Sequence, residues 1–307
     1  MKTTKLYLLF ILLVSLSLRS FCQEKELSFI ALGTSGGYFD HDLSCFLLYD
    51  HKTDKGILLD GGSIFPGLQK AADNKAIPCD IAGDSIYHFA QEHISACLVT
   101  HPHLDHIAGL AIYAAEAHKL PVYGRSYTIE VLRNHIFNWD VWPNFTDSGK
   151  GYPLGNCSLT TIHSDTVYSI PETDFSFEAF PLSHGNNGYP STAYLISCRD
   201  KYFLFFGDTG ADRIEKQNFL NNIWHKISPL LNENKLTGIA IECSYNNATP
   251  EEKLFGHLTP YLLEQELTKL ITRAGSIPTD QNTNIYIYHI KPSSGNKKSV
   301  QESIREQ

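Results

Sequence analysis

Hydrophobic positions in this chain fall into short runs separated by polar and turn-forming residues. Apolar, β-branched and aromatic side chains cluster at 27–32, 45–49, 56–59, 96–100, 175–180, 193–197, 202–206, 238–242 and 285–290, lengths that suit β-strands. Between them, helical periodicity appears at 64–72, 83–92, 107–118, 126–136, 217–231 and 260–271, each stretch bounded by Gly, Pro or Asn. Strands in batches with helices spaced among them predict a layered α/β architecture, with two sheets inside and helices outside. The stretch 137–155, rich in Pro, Gly and Trp, breaks the pattern and reads as a long surface loop near a site or an inserted hairpin. Its two tryptophans, Trp139 and Trp142, are expected to pack in a core or a lid.

The N-terminus follows a different rule. Lys2 and Lys5 precede an apolar run at 6–18 that is shorter than a membrane span usually needs. Ser20 and Cys22 place small residues where a signal peptidase cuts, so the expectation is a signal peptide at 1–22 and one mature domain at 23–307. Arg19 and Phe21 weigh against Cys22 as an acylated first residue. A periplasmic or secreted location follows, without stable membrane insertion after cleavage. The net charge of −8 would repel a polyanion, which argues against a nucleic-acid polymer as partner. A small anionic substrate stays allowed, because bound metal reverses the local field. A homodimer is compatible with the chain. Of the seven cysteines, six survive cleavage after Cys22 and none sits in a Cys-x-x-Cys pair; disulfides could form in an oxidising compartment, with no connectivity readable from spacing.

Chemistry concentrates in one segment. His101, His103, Asp105 and His106 fall within six residues, where the strand at 96–100 ends and the helix from 107 begins. A tight loop there can aim His101 and His103 to one side and Asp105 and His106 to the other, the arrangement that serves two metal ions. Further donors follow apolar runs: His184, Asp208 and His289. Any one alone is an ordinary polar residue at a strand end. Taken with the His-rich loop, they complete a site in which His101, His103 and His184 hold one ion, Asp105, His106 and His289 hold the other, and Asp208 bridges them.

The His-x-His-x-Asp-His loop, the later His, Asp and His, and the early Asp60-Gly61-Gly62 together resemble the metallo-β-lactamase superfamily. That resemblance implies an αββα four-layer sandwich with two internal mixed sheets and helices outside. Within it, Leu32-Gly33-Thr34-Ser35-Gly36-Gly37, Phe206-Gly207-Asp208-Thr209-Gly210, Ile241-Glu242-Cys243-Ser244, Phe255-Gly256-His257-Leu258-Thr259-Pro260 and His289-Ile290-Lys291-Pro292 are similar to the class II 3′,5′-cyclic-nucleotide phosphodiesterases. The elements around His257 and His289 are the specific ones. The resemblance implies hydrolysis of cAMP or cGMP to nucleoside 5′-monophosphates, a small cyclic nucleotide as the molecule bound, and two divalent ions, zinc foremost.

Two ions about 3.5–4 Å apart can hold a bridging hydroxide as nucleophile and neutralise charge on the phosphoryl oxygens. Asp105 then counts with the catalytic residues as well as the ligands, and no Gly-x-Ser-x-Gly elbow competes for the nucleophile role. The departing ribose oxygen needs a proton, and His257 is the candidate donor; its structural alternative is a helix cap or a loop-holding hydrogen bond. Gly36 and Gly37 either let the backbone approach a phosphate or simply form a turn. An arylsulfatase or an RNase Z-like phosphodiesterase is the alternative enzyme, the latter opposed by the signal peptide and the acidic balance. A β-lactamase is disfavoured because Asp208 stands where a cysteine ligand would be expected. A metal-stabilised binding protein on an inactive scaffold is opposed by the presence of every expected ligand type.

Overall fold

The computed structural model describes residues 26–78, 83–185, 188–275, 282–292 and 299–305; the proposed signal peptide lies outside them. Twelve strands among these residues form two six-stranded mixed sheets. The first runs in simple order through β1 (Leu27–Gly33), β2 (Cys45–Asp50), β3 (Lys55–Leu59), β4 (Ile94–Leu98), β5 (Leu120–Arg125) and β6 (Cys157–Ile162). Its first three strands pair antiparallel and the rest parallel. The second contains β7 (Val167–Ser169), β8 (Phe175–Ser183), β9 (Pro190–Cys198), β10 (Lys201–Phe206), β11 (Leu236–Glu242) and β12 (Asn284–Tyr288), antiparallel up to β10 and parallel beyond.

Side-chain alternation assigns the layers. In β2, Phe46 and Leu48 join the core between the sheets, while Cys45, Leu47 and Tyr49 join the core beneath the helices. In β10, Phe203 and Phe205 face the middle and Leu204 and Phe206 the outer layer. Strands covered on both faces have no polar side, so they read in sequence as unbroken apolar runs. Helices α1 (Ile64–Asp73), α2 (Gly83–His93) and α3 (Leu104–Tyr113) pack on the first sheet, through residues such as Leu68, Phe89 and Leu110. After α4 (Ser126–Val131) and the short α5 (Asp212–Glu215), α6 (Phe219–Asn232) and α7 (Pro260–Ala274) cover the second sheet around the fully buried Trp224. This is the four-layer αββα arrangement. The chain closes its described part with α8 (Val300–Arg305).

Three strands lie where no strand was expected. β5 contains Pro121 and Gly124, β6 is rich in Ser and Thr, and β7 is a three-residue edge; each lacks the apolar contrast that marks a strand in sequence. In the loop after α4, Trp139 and Trp142 are 48% and 39% exposed, so they are surface residues and not core. The five described cysteines, Cys45, Cys97, Cys157, Cys198 and Cys243, are buried free thiols, and burial pushes the Cys157 and Cys198 thiols up to about 12. No helix among the described residues is long and apolar enough to cross a membrane.

Candidate active site

The proposed donors converge at one edge of the sandwich, where strands of both sheets end. His101 and His103 follow β4, His184 follows β8, Asp208 follows β10 and His289 follows β12. Asp105 and His106 are not in a loop as expected. Helix α3 begins at Leu104, three residues earlier than its apolar period suggests, so both sit in its first turn, with His103 as the capping residue. An N-terminal turn tolerates Asp105 because a carboxylate there faces the positive end of the helix.

Donor atoms gather in two sets of four, each set lying within 4.8 Å: His101, His103, His184 and Asp208 in one, Asp105, His106, Asp208 and His289 in the other. Asp208 belongs to both, as the sequence pattern suggested. Its Oδ2 lies 3.6 Å from His184 Nε2 and 3.2 Å from His289 Nε2, and its Oδ1 lies 3.4 Å from His106 Nε2.

The outer ring nitrogens explain why the inner ones are free. His106 Nδ1–H donates to Asp60 Oδ2 at 2.7 Å, His184 Nδ1–H to the Gly256 carbonyl at 2.9 Å, and His289 Nδ1–H to the Ser244 hydroxyl at 2.9 Å. His101 Nδ1–H donates to Thr100 Oγ1 at 3.0 Å, while Thr100 itself donates to Asp60 through both its backbone N–H and its hydroxyl. Each ring is thereby fixed in the tautomer that turns a lone pair inward. His106 Nε2 and Asp208 Oδ1 are buried with no hydrogen-bond partner, a state that a bound cation relieves. His101 Nε2 and His103 Nδ1 stand 3.0 Å apart, converging on the same point. The donor set therefore fits divalent metal.

Electrostatics agree with that fit. Burial, aided by neighbouring imidazoles, pushes His101, His103 and His184 below the ordinary histidine range, His103 to about 4. Burial alone would raise Asp105 and Asp208, but the surrounding imidazoles outweigh it and hold both carboxyls below the usual range. Burial would also discharge His106, yet Asp208 and Asp60 outweigh it and raise its proton affinity. A cation replaces that proton. Neutral imidazoles and ionised carboxylates are the protonation states that metal binding requires.

His257 is buried beside both sets, its ring centroid 4.7 Å from that of His184 and 5.2 Å from that of His289. Its Nδ1–H donates to Glu242 Oε1 at 2.7 Å, and its Nε2 accepts from Lys291 Nζ at 2.9 Å. It does not cap α7, because the Thr259 side chain does so by accepting from the Leu262 N–H. Glu242, His257 and His289 also form a third cluster of potential donors, but the Ser244 hydroxyl sits among them, 2.9 Å from Glu242 Oε2 and 3.1 Å from His257 Nδ1. That cluster is satisfied by hydrogen bonds. Burial would raise the Glu242 carboxyl, but His257 outweighs it and holds it low.

Four functional groups had no assigned role in the sequence: Asp60, Glu242, Ser244 and Lys291. Their only signal was position in short motifs next to strand ends. Gly36 and Gly37 lie in the bend and turn that follow β1, the second of the two roles considered for them, and they also bear on the donors. A Cβ on Gly36 would lie 2.2 Å from the His289 ring, and the Gly37 N–H donates to Asp105 Oδ2 at 2.8 Å, so this loop presses on two donors of the second set. The donors form the floor of a cavity of about 570 Å³, with Lys291 and His257 on its wall, a size suited to a small molecule.

A sandwich of this topology, with His and Asp donors gathered where both sheets end, defines the metallo-β-lactamase fold with a site suited to divalent metal. Superposition agrees: the fold matches unliganded yeast PDE1 with a TM-score of 0.78 at 24% identity, covering 91% of this chain and 92% of that one. It also matches the metallo-β-lactamase fold protein YhfI of Bacillus subtilis with a TM-score of 0.58 at 16% identity, covering 91% of this chain and 90% of that one. The chain belongs to the class II cAMP phosphodiesterase family, whose model matches residues 83–307. A probable 3′,5′-cyclic-nucleotide phosphodiesterase of Yersinia pestis is 37% identical over 301 residues, 95% of this chain and 86% of its own length. A 3′,5′-cyclic-nucleotide phosphodiesterase of Aliivibrio fischeri is 34% identical, over 97% of this chain and 91% of its own length.

Proposed function

We propose that this chain hydrolyses 3′,5′-cyclic nucleotides to nucleoside 5′-monophosphates with two divalent ions, zinc foremost, and that it does so in the periplasm or outside the cell. The observation that carries the reading is the pair of four-donor sets sharing Asp208 on the floor of a cavity walled by His257 and Lys291. Two sets that share one carboxylate favour two ions, and their richness in imidazole suits zinc. When bound, the ions supply an acidified water as nucleophile and neutralise charge building on the phosphoryl oxygens.

The remaining steps fall to the chain's own residues. Opening the ring to a 5′-monophosphate breaks the bond between phosphorus and the 3′-oxygen, which then takes a proton. Glu242 fixes the His257 ring with Nε2 toward the cavity; once Lys291 turns away, a proton carried on Nε2 is placed to pass to that oxygen. The Lys291 ammonium, 2.9 Å from the same nitrogen, turns to the phosphoryl oxygens when a phosphate enters. Its 5.0 Å distance from the Tyr245 ring centroid helps hold the cation at the wall.

The test is a substrate panel on zinc-loaded protein: 3′,5′-cyclic nucleotides, 2′,3′-cyclic nucleotides, linear diesters and aryl sulfates. Preference for the first class supports the reading, and faster turnover of aryl sulfates or linear diesters overturns it. His257→Ala should keep its metal while turnover of cAMP drops by roughly 10²–10⁴-fold, and the drop should shrink for a nitrophenyl diester whose leaving group needs no proton. Export is supported by the charged and apolar pattern of residues 1–22, and N-terminal sequencing of the expressed protein checks it: a mature start near Gln23 supports export, an intact Met1 on cytoplasmic protein refutes it. We further propose a homodimer, to be checked by light scattering; the exposed Trp139, Val141, Trp142 and Tyr152 offer an apolar surface for it.

A further inference from the structure

Two large aromatic rings stand exposed at the mouth of the cavity, and one is held there by a left-handed backbone. Phe255 is 63% exposed and has φ +50°, a conformation rare for a bulky aromatic residue. It lies between residues that are firmly anchored: Leu254 is buried in the outer core, and the His257 N–H donates to the Leu254 carbonyl at 3.0 Å. Gly256, also left-handed, presses so closely on Gly185 that a Cβ there would lie 1.8 Å from the Gly185 nitrogen, and its carbonyl accepts from His184. The same turn that orients one metal-set histidine therefore forces Phe255 outward. Strain of this kind, with an apolar ring left in water, persists where the ring has something to bind.

Tyr38, also 63% exposed, lines the same cavity from the loop that follows β1. A third aromatic, Tyr189, is already engaged, stacked on His103 at 4.6 Å between ring centroids. Among the described residues, Tyr38 forms a ring pair only with its neighbour Phe39, edge to face, and Phe255 forms none. Both rings keep a face free.

We propose that Phe255 and Tyr38 form the base-stacking clamp of this site and make the enzyme selective for purine over pyrimidine cyclic nucleotides while accepting adenine and guanine alike. The inference rests on the cyclic-nucleotide reading above. With the phosphate drawn to the floor, the base, joined to it through the ribose, falls at the mouth. Stacking recognises a π-face and not a hydrogen-bonding edge, so it tolerates either purine and grips the smaller pyrimidine ring less. Among the described residues, the polar side chains lining the cavity are the metal-set residues, His257 and Lys291, which belong to the phosphate end, and the hydroxyls of Tyr38 and Tyr189; none of these described side chains is an amide or guanidinium that pairs with a base edge in two bonds.

The experiment compares cAMP, cGMP, cCMP and cUMP on zinc-loaded wild type, Phe255→Ala, Phe255→Trp and Tyr38→Ala, with 5′-AMP binding followed by calorimetry. Wild type should favour both purines, with cAMP and cGMP within about tenfold of each other. Phe255→Ala should raise KM for the purines roughly 5–100-fold, changing kcat far less, weaken 5′-AMP by the same factor and narrow the purine-to-pyrimidine ratio. Tyr38→Ala should act in the same direction, and Phe255→Trp should retain purine preference, which separates stacking from loss of the fold. Equal effects on all four substrates, or a wild type indifferent to the base, would overturn the clamp while leaving the function standing. Absence of turnover on all four would overturn the function and the clamp with it.

Discussion

Gly36 offers a sharp test of how the second donor set is held. In Gly36→Ala the new methyl would sit 2.2 Å from His289 Cε1 and 2.4 Å from Nε2, more than 1 Å inside ordinary contact. The His289 ring cannot retreat, because Ser244 holds its Nδ1 at 2.9 Å and the His289 backbone N–H donates to the Thr34 carbonyl at 2.8 Å. The strain therefore passes to the loop that carries Gly37, whose N–H bond to Asp105 is stretched or lost, and to the aim of His289 itself. A misplacement of about 1 Å at a reacting centre lowers rate by roughly 10²-fold, so kcat/KM for cAMP should fall by about that factor. Metal should also escape faster to a competing chelator. Gly37→Ala is the control: its Cβ would lie 3.4 Å from Asp105 Oδ2, an ordinary contact, and activity should stay within roughly twofold, the scale of a 0.5 kcal/mol change. Wild-type kinetics and metal retention in Gly36→Ala, or equal damage from both substitutions, would refute the reasoning.

Asp208→Ala should release both ions together on gel filtration, whereas His184→Ala should weaken only the set it belongs to; metal analysis that shows the same loss in both variants removes Asp208 from its shared role. A third prediction concerns acid stability, through the bidentate pair in which Arg199 Nη1 and Nη2 donate to Asp50 at 2.8 and 2.9 Å. Burial would raise the Asp50 carboxyl, but Arg199 and Thr53 outweigh it and hold it at about 2. A carboxyl depressed in the folded state stabilises in full above its unfolded value near 4 and loses that contribution as pH falls toward 2, here about 1–2 kcal/mol after allowance for the part-exposed arginine. Urea unfolding should therefore separate wild type from Asp50→Asn most at pH 7 and least near pH 2, and a constant difference across that range contradicts it.

The apolar runs were a reliable guide wherever burial on both faces left no ambiguity. β2, β10 and β11 are covered by helices on one side and the other sheet on the other, so each reads as an apolar block in sequence and in structure. β5 failed the same test because Pro121 and Gly124 are turn formers in isolation, and only pairing with β4 and β6 makes them strand residues. The start of α3 was misjudged for a related reason. Leu104 is 68% exposed and Asp105 and His106 are polar toward the site, so the first helical turn contributes nothing to the apolar period. Trp139 and Trp142 misled in the opposite direction, since hydrophobic character says that a ring can be buried but not that the loop bearing it has a core to enter.

Donors and their supports differ in how far sequence can reach, and the difference is geometric. His101, His184, Asp208 and His289 each come just past the end of an apolar strand, and because those strands end on one edge of the sandwich, a polar residue at that boundary is already close to the others. The groups that fix their tautomers obey no such boundary rule. Asp60 meets His106 across 46 positions, the Gly256 carbonyl meets His184 across 72, and Ser244 meets His289 across 45. What joins each pair is a backbone excursion that only the assembled structure reveals, including the left-handed residues Asp60 and His289 at φ +59°. The donor identities are thus local features of strand ends, whereas the protonation state that lets those donors bind a cation is a property of the packed sheets together.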